Sequence, residues 1–98
     1  MLSKECYGGS SLHRGKLDIM ENILCEASEG AKKTRIMYRC NLNFSQLNSY
    51  LDLMVSVGLL KSVPPGIGER IERNTYETSA KGQAFIRAYR DLKEVLDL

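Results

Sequence analysis

Three residues constrain this chain more than any other feature. Asn41-Leu42-Asn43 separates two stretches of helical periodicity, with a polar turn former on each side of one apolar anchor. Upstream, a short helix is expected from Thr34 to Cys40, with Thr34 as its cap and Ile36 and Met37 facing inward. Downstream, Asn43 followed by Gln46 has capping-box spacing and starts another helix. Within it Leu47, Tyr50, Leu51 and Met54 recur at i, i+3, i+4 and i+7 and define a buried face. Phe44 is placed to staple its beginning, and Gly58 ends it after Val57. Two helices joined by so short a break form a helix-turn-helix, unless the chain is an arbitrary small helical bundle.

The flanking segments favour the first arrangement. From about Arg14 to Glu29, Leu17, Met20, Leu24 and Ala27 form an apolar stripe that Ile19 and Ile23 widen, and Gly30 stands where a left-handed cap would close it. After the third helix, Leu59 to Val63 is a strand candidate. Pro64-Pro65-Gly66-Ile67-Gly68 cannot continue a helix and is a loop, and Ile71 to Thr78 is a returning strand. Ser79 then caps a last helix that runs to the C-terminus. The expected fold is mainly α with a small β-hairpin: a winged helix-turn-helix of three helices plus wing, with a C-terminal dimerisation helix. The expected division is a flexible N-terminal segment at 1–13, a winged-helix domain at 14–78 and the C-terminal helix at 79–98.

That last helix carries Phe85, Tyr89, Leu92 and Leu96 at i, i+4, i+7 and i+11, an a/d spacing over two heptads. The stripe either packs back on its own domain or joins a second copy. A dimer is expected, because a helix so far from the wing has little of its own core left to cover. So short a stripe would need help from the first helix.

Composition narrows the function. The chain has 98 residues, 43% of them hydrophobic and 27% charged, which suits one domain with a modest core. No apolar run approaches the roughly 20 residues of a membrane span, and the first residues lack a signal-peptide core, so a cytoplasmic, chromosome-associated protein is expected. Cys6, Cys25 and Cys40 have no CxxC spacing and are expected to be reduced thiols. One histidine, His13, and no paired-carboxylate or phosphate-loop motif argue against an enzyme; no metal and no cofactor are expected.

The net charge of +2 is unevenly placed. Residues 1–30 carry three cations against five carboxylates, residues 31–61 five cations against Asp52 alone, and residues 62–98 six against six. A basic middle between neutral or acidic ends suits one basic face toward a polyanion. In a winged helix the third helix enters the major groove and the wing touches the backbone or minor groove. The outward face of that helix then offers Ser45, Gln46, Asn48 and Ser49, with Gln46 able to pair with adenine. Leu42 to Leu60 contains no Lys or Arg, so phosphate contacts fall to Lys32, Lys33, Arg35 and Arg39 around the second helix and to Arg70 and Arg73 on the wing. Glu69 and Glu72 flank those wing arginines, and surface ion pairing explains them equally well.

The run Gly30-Ala31-Lys32-Lys33-Thr34-Arg35-Ile36-Met37-Tyr38-Arg39-Cys40-Asn41-Leu42-Asn43-Phe44 resembles archaeal winged-helix DNA-binding proteins and predicted transcriptional regulators, as do Leu47, Tyr50-Leu51-Asp52-Leu53-Met54 and Gly58-Leu59-Leu60. That family includes small dimeric archaeal chromatin proteins. Tyr76-Glu77-Thr78-Ser79-Ala80-Lys81-Gly82-Gln83-Ala84-Phe85 is similar to its junction between wing and last helix. The resemblance spans about residues 14–96 and implies a dimer, joined through the last helix, that binds double-stranded DNA. Two features depart from the chromatin-protein members: the last helix is shorter and the wing loop looks longer. A sequence-selective regulator, a chromatin-like protein with little sequence preference, and a winged helix used only for protein–protein contact all remain open. The sequence leaves any small-molecule effector unknown.

Overall fold

Helix α1 (Lys16–Glu26) opens the fold, its first turn closed by the Asp18 carboxylate, which accepts the Gly15 N–H at 3.3 Å. The computed structural model describes residues 15–63 and 75–96. The helix ends sooner than the expected Glu29, and its buried stripe is turned. Ile19, Ile23, Leu24 and the following Ala27 enter the core, whereas Leu17 is 47% exposed. Gly30 does take a left-handed conformation (φ +92°), not as the helix cap but at the end of a turn that leads into a strand.

That strand, β1 (Ala31–Lys32), is only two residues long and carries no period-2 signal. Helix α2 (Lys33–Cys40) follows at once. Lys32 is its N-cap and no side chain caps it, so Thr34 lies inside the first turn rather than at the boundary. Asn41 closes α2 at φ +57°, a conformation Asn tolerates better than most residues. The N–H of Leu42 reaches the Met37 carbonyl and that of Asn41 the Tyr38 carbonyl (3.1 and 3.3 Å), the paired bonds of a Schellman motif.

Helix α3 (Phe44–Ser56) starts on the expected capping box. Gln46 N–H donates to Asn43 Oδ1 at 2.7 Å, and Asn43 N–H donates to Gln46 Oε1 at 3.1 Å. Leu47, Leu51 and Met54 are buried and Tyr50 is half-buried, the predicted face. Gly58 (φ +87°) ends the helix in a second Schellman motif, with bonds from Leu59 N–H to Met54 and from Gly58 N–H to Val55. Met54 and Leu59 are both buried, which supplies the apolar contact that accompanies this turn.

Strands β2 (Leu60–Val63) and β3 (Thr75–Thr78) form the antiparallel hairpin, with Leu60 opposite Thr78 and Val63 opposite Thr75. β1 pairs on the other edge of β3, Ala31 with Tyr76 and Lys32 with Thr75, giving a three-stranded sheet in the order β1-β3-β2. The expected loop Pro64–Gly68 and the first part of the expected strand from Ile71 lie outside the described residues.

Helix α4 (Ala80–Leu96) is capped by Ser79, whose Oγ accepts the Gly82 N–H at 3.1 Å. The same hydroxyl donates toward the carbonyls of Gly58 and Leu59, at 2.5 and 3.0 Å, tying the helix to the end of α3. Thr78 binds α1 through Oγ1 to the Leu24 carbonyl (2.6 Å) and through its N–H to Ala27 (3.1 Å). Gly82 is buried at this junction and α4 runs back along α1, with Ile86 reaching the core and Phe85 packed against it. The last helix therefore does cover its own domain.

Cys40 is a reduced thiol in the core. Cys25 is disulfide-bonded, which corrects the expectation of three reduced thiols. Spacing along a chain reveals close-set ligand pairs; it does not reveal cysteines that folding brings together. No helix among the described residues is long and apolar enough to cross a membrane, and no group of His, Cys, Asp and Glu among them could hold a metal ion.

Candidate nucleic-acid interface

Lys32, Lys33, Thr34 and Arg35 surround the amino end of α2, whose first turn contains no acidic residue. The backbone amides there point outward and carry the positive end of the helix dipole, so basic side chains and backbone reinforce one another. The Lys33 ammonium lies over the Phe44 ring, 5.1 Å from its centroid, and so joins the start of α2 to the first residue of α3. Lys61 is exposed on β2.

Arg35 and Arg39 project from the same helix toward one carboxylate. Arg35 Nε donates to Glu26 Oε2 at 2.7 Å, and Arg39 Nε lies 3.7 Å from Glu26 Oε1. The Glu26 side chain is 5% exposed, while both arginine side chains are more than half exposed. A carboxylate buried to that degree needs partners, and Arg35 and Arg39 serve it here. The trio keeps a net charge of +1 and holds both guanidinium groups at the surface of α2.

On α3 the 100° step per residue sets Ser45, Ser49, Asp52 and Ser56 opposite the buried Leu47, Leu51 and Met54, and all four are exposed. Asn48 is half-buried on the flank. Gln46 is exposed, but its side-chain oxygen is taken by the capping box, which limits the two-point contact with adenine expected from it. Ser56 Oγ bonds the Leu53 carbonyl within its own helix. Toward the C-terminal end, Leu53, Val55 and Val57 are exposed. A shallow groove of about 310 Å³ separates α3 from the hairpin, lined by Leu51, Asp52, Val55, Ser56, Ser62 and Tyr76. Asp52 thus lies beside the hairpin on the far half of the helix.

The acidic end of the chain is neutralised elsewhere. Tyr89 OH donates to Asp18 Oδ1 at 2.5 Å, Arg90 Nε binds Glu21 Oε2 at 3.0 Å, and Lys93 Nζ stands 3.7 Å from Asp18 and 4.0 Å from Glu21. The Tyr89 hydrogen bond lowers the pKa of Asp18, helped by Lys93 and the Gly15 amide against partial burial. Burial and the Asp18 carboxylate push the Tyr89 phenol up to about 12. The α1–α4 seam therefore engages Asp18 and Glu21 of α1, while Glu26 at the end of the same helix is the carboxylate that meets the arginines of α2.

Of the expected dimerisation residues, Phe85 and Tyr89 are half-buried with their rings stacked 5.9 Å apart, and Tyr89 is bonded to α1. Leu92 and Leu96 are exposed, and Val95 beside them is 81% exposed. Arg70 and Arg73 lie outside the described residues. Sequence reasoning gave no interface role to Tyr38, which is 88% exposed within the basic helix, or to Phe44, which is 58% exposed rather than folded into a staple. A signal for Tyr38 was present: two residues past Ile36 and two before Cys40, both buried, it falls on the opposite face of α2.

The fold and this interface define a class, a helix-turn-helix followed by a wing. The profile of the winged helix-turn-helix family matches residues 13–97, and the chain belongs to that family. Among solved structures it is similar to Sso10a-2, a DNA-binding protein from Sulfolobus solfataricus (TM-score 0.72, 27% identity, 86% of this chain and 83% of that one). It is also similar in fold to a cysteine-to-serine mutant of MarR from E. coli, whose structure was solved with operator DNA (TM-score 0.64, 17% identity, 79% of this chain and 52% of that one). Comparison with curated protein sequences gives no significant match.

Proposed function

We propose that this protein binds double-stranded DNA as a transcriptional regulator. The N-terminal half of α3 faces the major groove, and the cations around α2 contact the backbone on either side of it. The observation that carries this reading is the concentration of Lys32, Lys33, Arg35 and Arg39 on the short helix α2 and its cap, with Lys33 set over Phe44 at the exposed start of α3, while Asp18 and Glu21 are turned to α4. Likeness to a Sulfolobus DNA-binding protein over most of both chains supports it. On the expected division, the helix at 79–98 joins two copies through Leu92, Val95 and Leu96, the apolar side chains it leaves exposed. Two copies on one duplex offset the weak grip of a single module at physiological salt.

One observation favours a second form of this reading, a chromatin-like protein with little sequence preference. α3 contributes no cation, and the Gln46 oxygen is held by its own helix cap, so few groups remain to read bases. Anisotropy titration of labelled mixed-sequence duplexes at about 50 and about 200 mM salt separates the two. Affinity is expected to collapse as salt rises and to weaken in Lys33→Ala/Arg35→Ala, checked for folding by its thermal melt. A wide spread among duplexes identifies a regulator, and a flat response a chromatin-like role. Absence of binding at low salt contradicts both and leaves a winged helix used for protein contact.

A further inference from the structure

We infer that Phe44 is the base-reading residue of α3 and that it recognises the C5-methyl group in the major groove, that of thymine above all. This rests on the DNA-binding reading above and deepens it.

Phe44 occupies the first position of α3, and N-terminal residues of a recognition helix are the ones that reach base edges. Phe44 is 58% exposed, although a residue of this type elsewhere in the chain, Phe85, packs against the core. The other exposed groups of that turn are poor readers. The Gln46 oxygen accepts the Asn43 amide, and Ser45 has a short hydroxyl that serves a base edge or a phosphate equally. The Lys33 ammonium over the ring adds the second element. It gives the ring a fixed neighbour and sets a positive charge at the edge of the reading surface, where a phosphate oxygen lies when a side chain enters the groove. The major-groove edge of thymine carries an apolar methyl group that cytosine and the purines lack, and aromatic or small apolar side chains are what contact it. An apolar tip flanked by a cation and uncharged hydroxyls fits that edge better than it fits the guanine edge, which calls for Arg or Lys; α3 has neither.

The test uses the full chain and four duplexes of about 20 base pairs, two helical turns. The first two are alternating A·T and the same duplex with deoxyuridine for every thymidine. The others are alternating G·C and its 5-methyldeoxycytidine counterpart. Each methyl group that enters apolar contact should strengthen wild-type binding about fourfold, in both pairs. Phe44→Ser should bind the members of each pair equally, and Phe44→Leu, which keeps an apolar tip, should retain part of the difference. Equal wild-type affinity within both pairs overturns the inference and leaves DNA binding intact. A methyl preference that survives in Phe44→Ser assigns the reading to another residue and also overturns it. No binding to any of the four at low salt removes the DNA reading, and this inference with it.

Discussion

Gly82 shows how little latitude single positions have in this fold. A Cβ built there would run into the Leu59 carbonyl oxygen and stand 2.5 Å from Thr78 Cγ2, with Leu24 Cδ2 at 3.2 Å. The two nearest are a backbone oxygen and a β-branched side chain bonded to α1, so neither has room to yield. Gly82→Ala should therefore destabilise the protein although alanine is the better helix former, by about 2–3 kcal/mol in urea or thermal unfolding. A neutral or stabilising effect would mean that α4 does not approach the α3–β2 turn so closely. Asn43 has a different role: its side chain satisfies one orphan amide of α3 while Gln46 satisfies the Asn43 amide. Asn43→Ala should cost about 1 kcal/mol, measured in the same way. This pair was legible in the sequence, because a capping box is defined by residue types three apart. The packing of Gly82 was not, since nothing local to the chain announces the Leu59 carbonyl lying over it.

At the scale of elements, the α1–α4 seam is the least expected feature. The a/d spacing of Phe85, Tyr89, Leu92 and Leu96 suggested one continuous stripe, but the face toward α1 runs through Gly82, Phe85, Ile86 and Tyr89 and ends in the ion pairs of Arg90 and Lys93. Apolar spacing alone could not find this seam, because Tyr89, Arg90 and Lys93 join it through polar groups. It carries a pH signature. Asp18 has a lowered pKa in the fold, so its contribution to stability is present above the ordinary carboxylate value of 3.8 and is lost as pH falls through the lower folded value. Tyr89 has a raised pKa, so its contribution is complete below its ordinary value of 10.0 and is lost as pH rises toward about 12. Chemical denaturation across pH should show stability falling between those two alkaline values, and Tyr89→Phe should abolish that fall. An unchanged alkaline limb in the variant would contradict the Tyr89–Asp18 contact. The three helices of the helix-turn-helix and the hairpin were legible from periodicity and turn residues. β1 was not, because two residues cannot display a period, and its pairing with β3 is set by tertiary structure.

At the scale of the whole molecule, among the described residues, cations gather around α2, the carboxylates Asp18 and Glu21 are spent on α4, and one group of exposed apolar side chains, Leu92, Val95 and Leu96, lies at the end of α4. That end is where the proposed second copy attaches. Leu92→Asp/Val95→Asp should shift the protein toward monomer in sedimentation equilibrium while leaving its helix content unchanged. A wild-type protein that is monomeric at micromolar concentration would remove the proposed dimer. The basic segment was evident from sequence, as were the candidates Lys32, Lys33, Arg35 and Arg39. The sharing of Glu26 by the two arginines, and the exposure of Phe44 beneath Lys33, depended on which side chains folding brings together. In the proposed complex the cations at the start of α2 form the surface a duplex meets. The most direct test is the slope of log affinity against log salt for wild type, Lys32→Ala/Lys33→Ala, and Arg90→Ala/Lys93→Ala on the α1–α4 seam. The slope should be shallower by about 2 in the first variant, one unit for each lost phosphate contact, and unchanged in the second. Equal slopes in all three proteins, or a loss confined to the second variant, would contradict it.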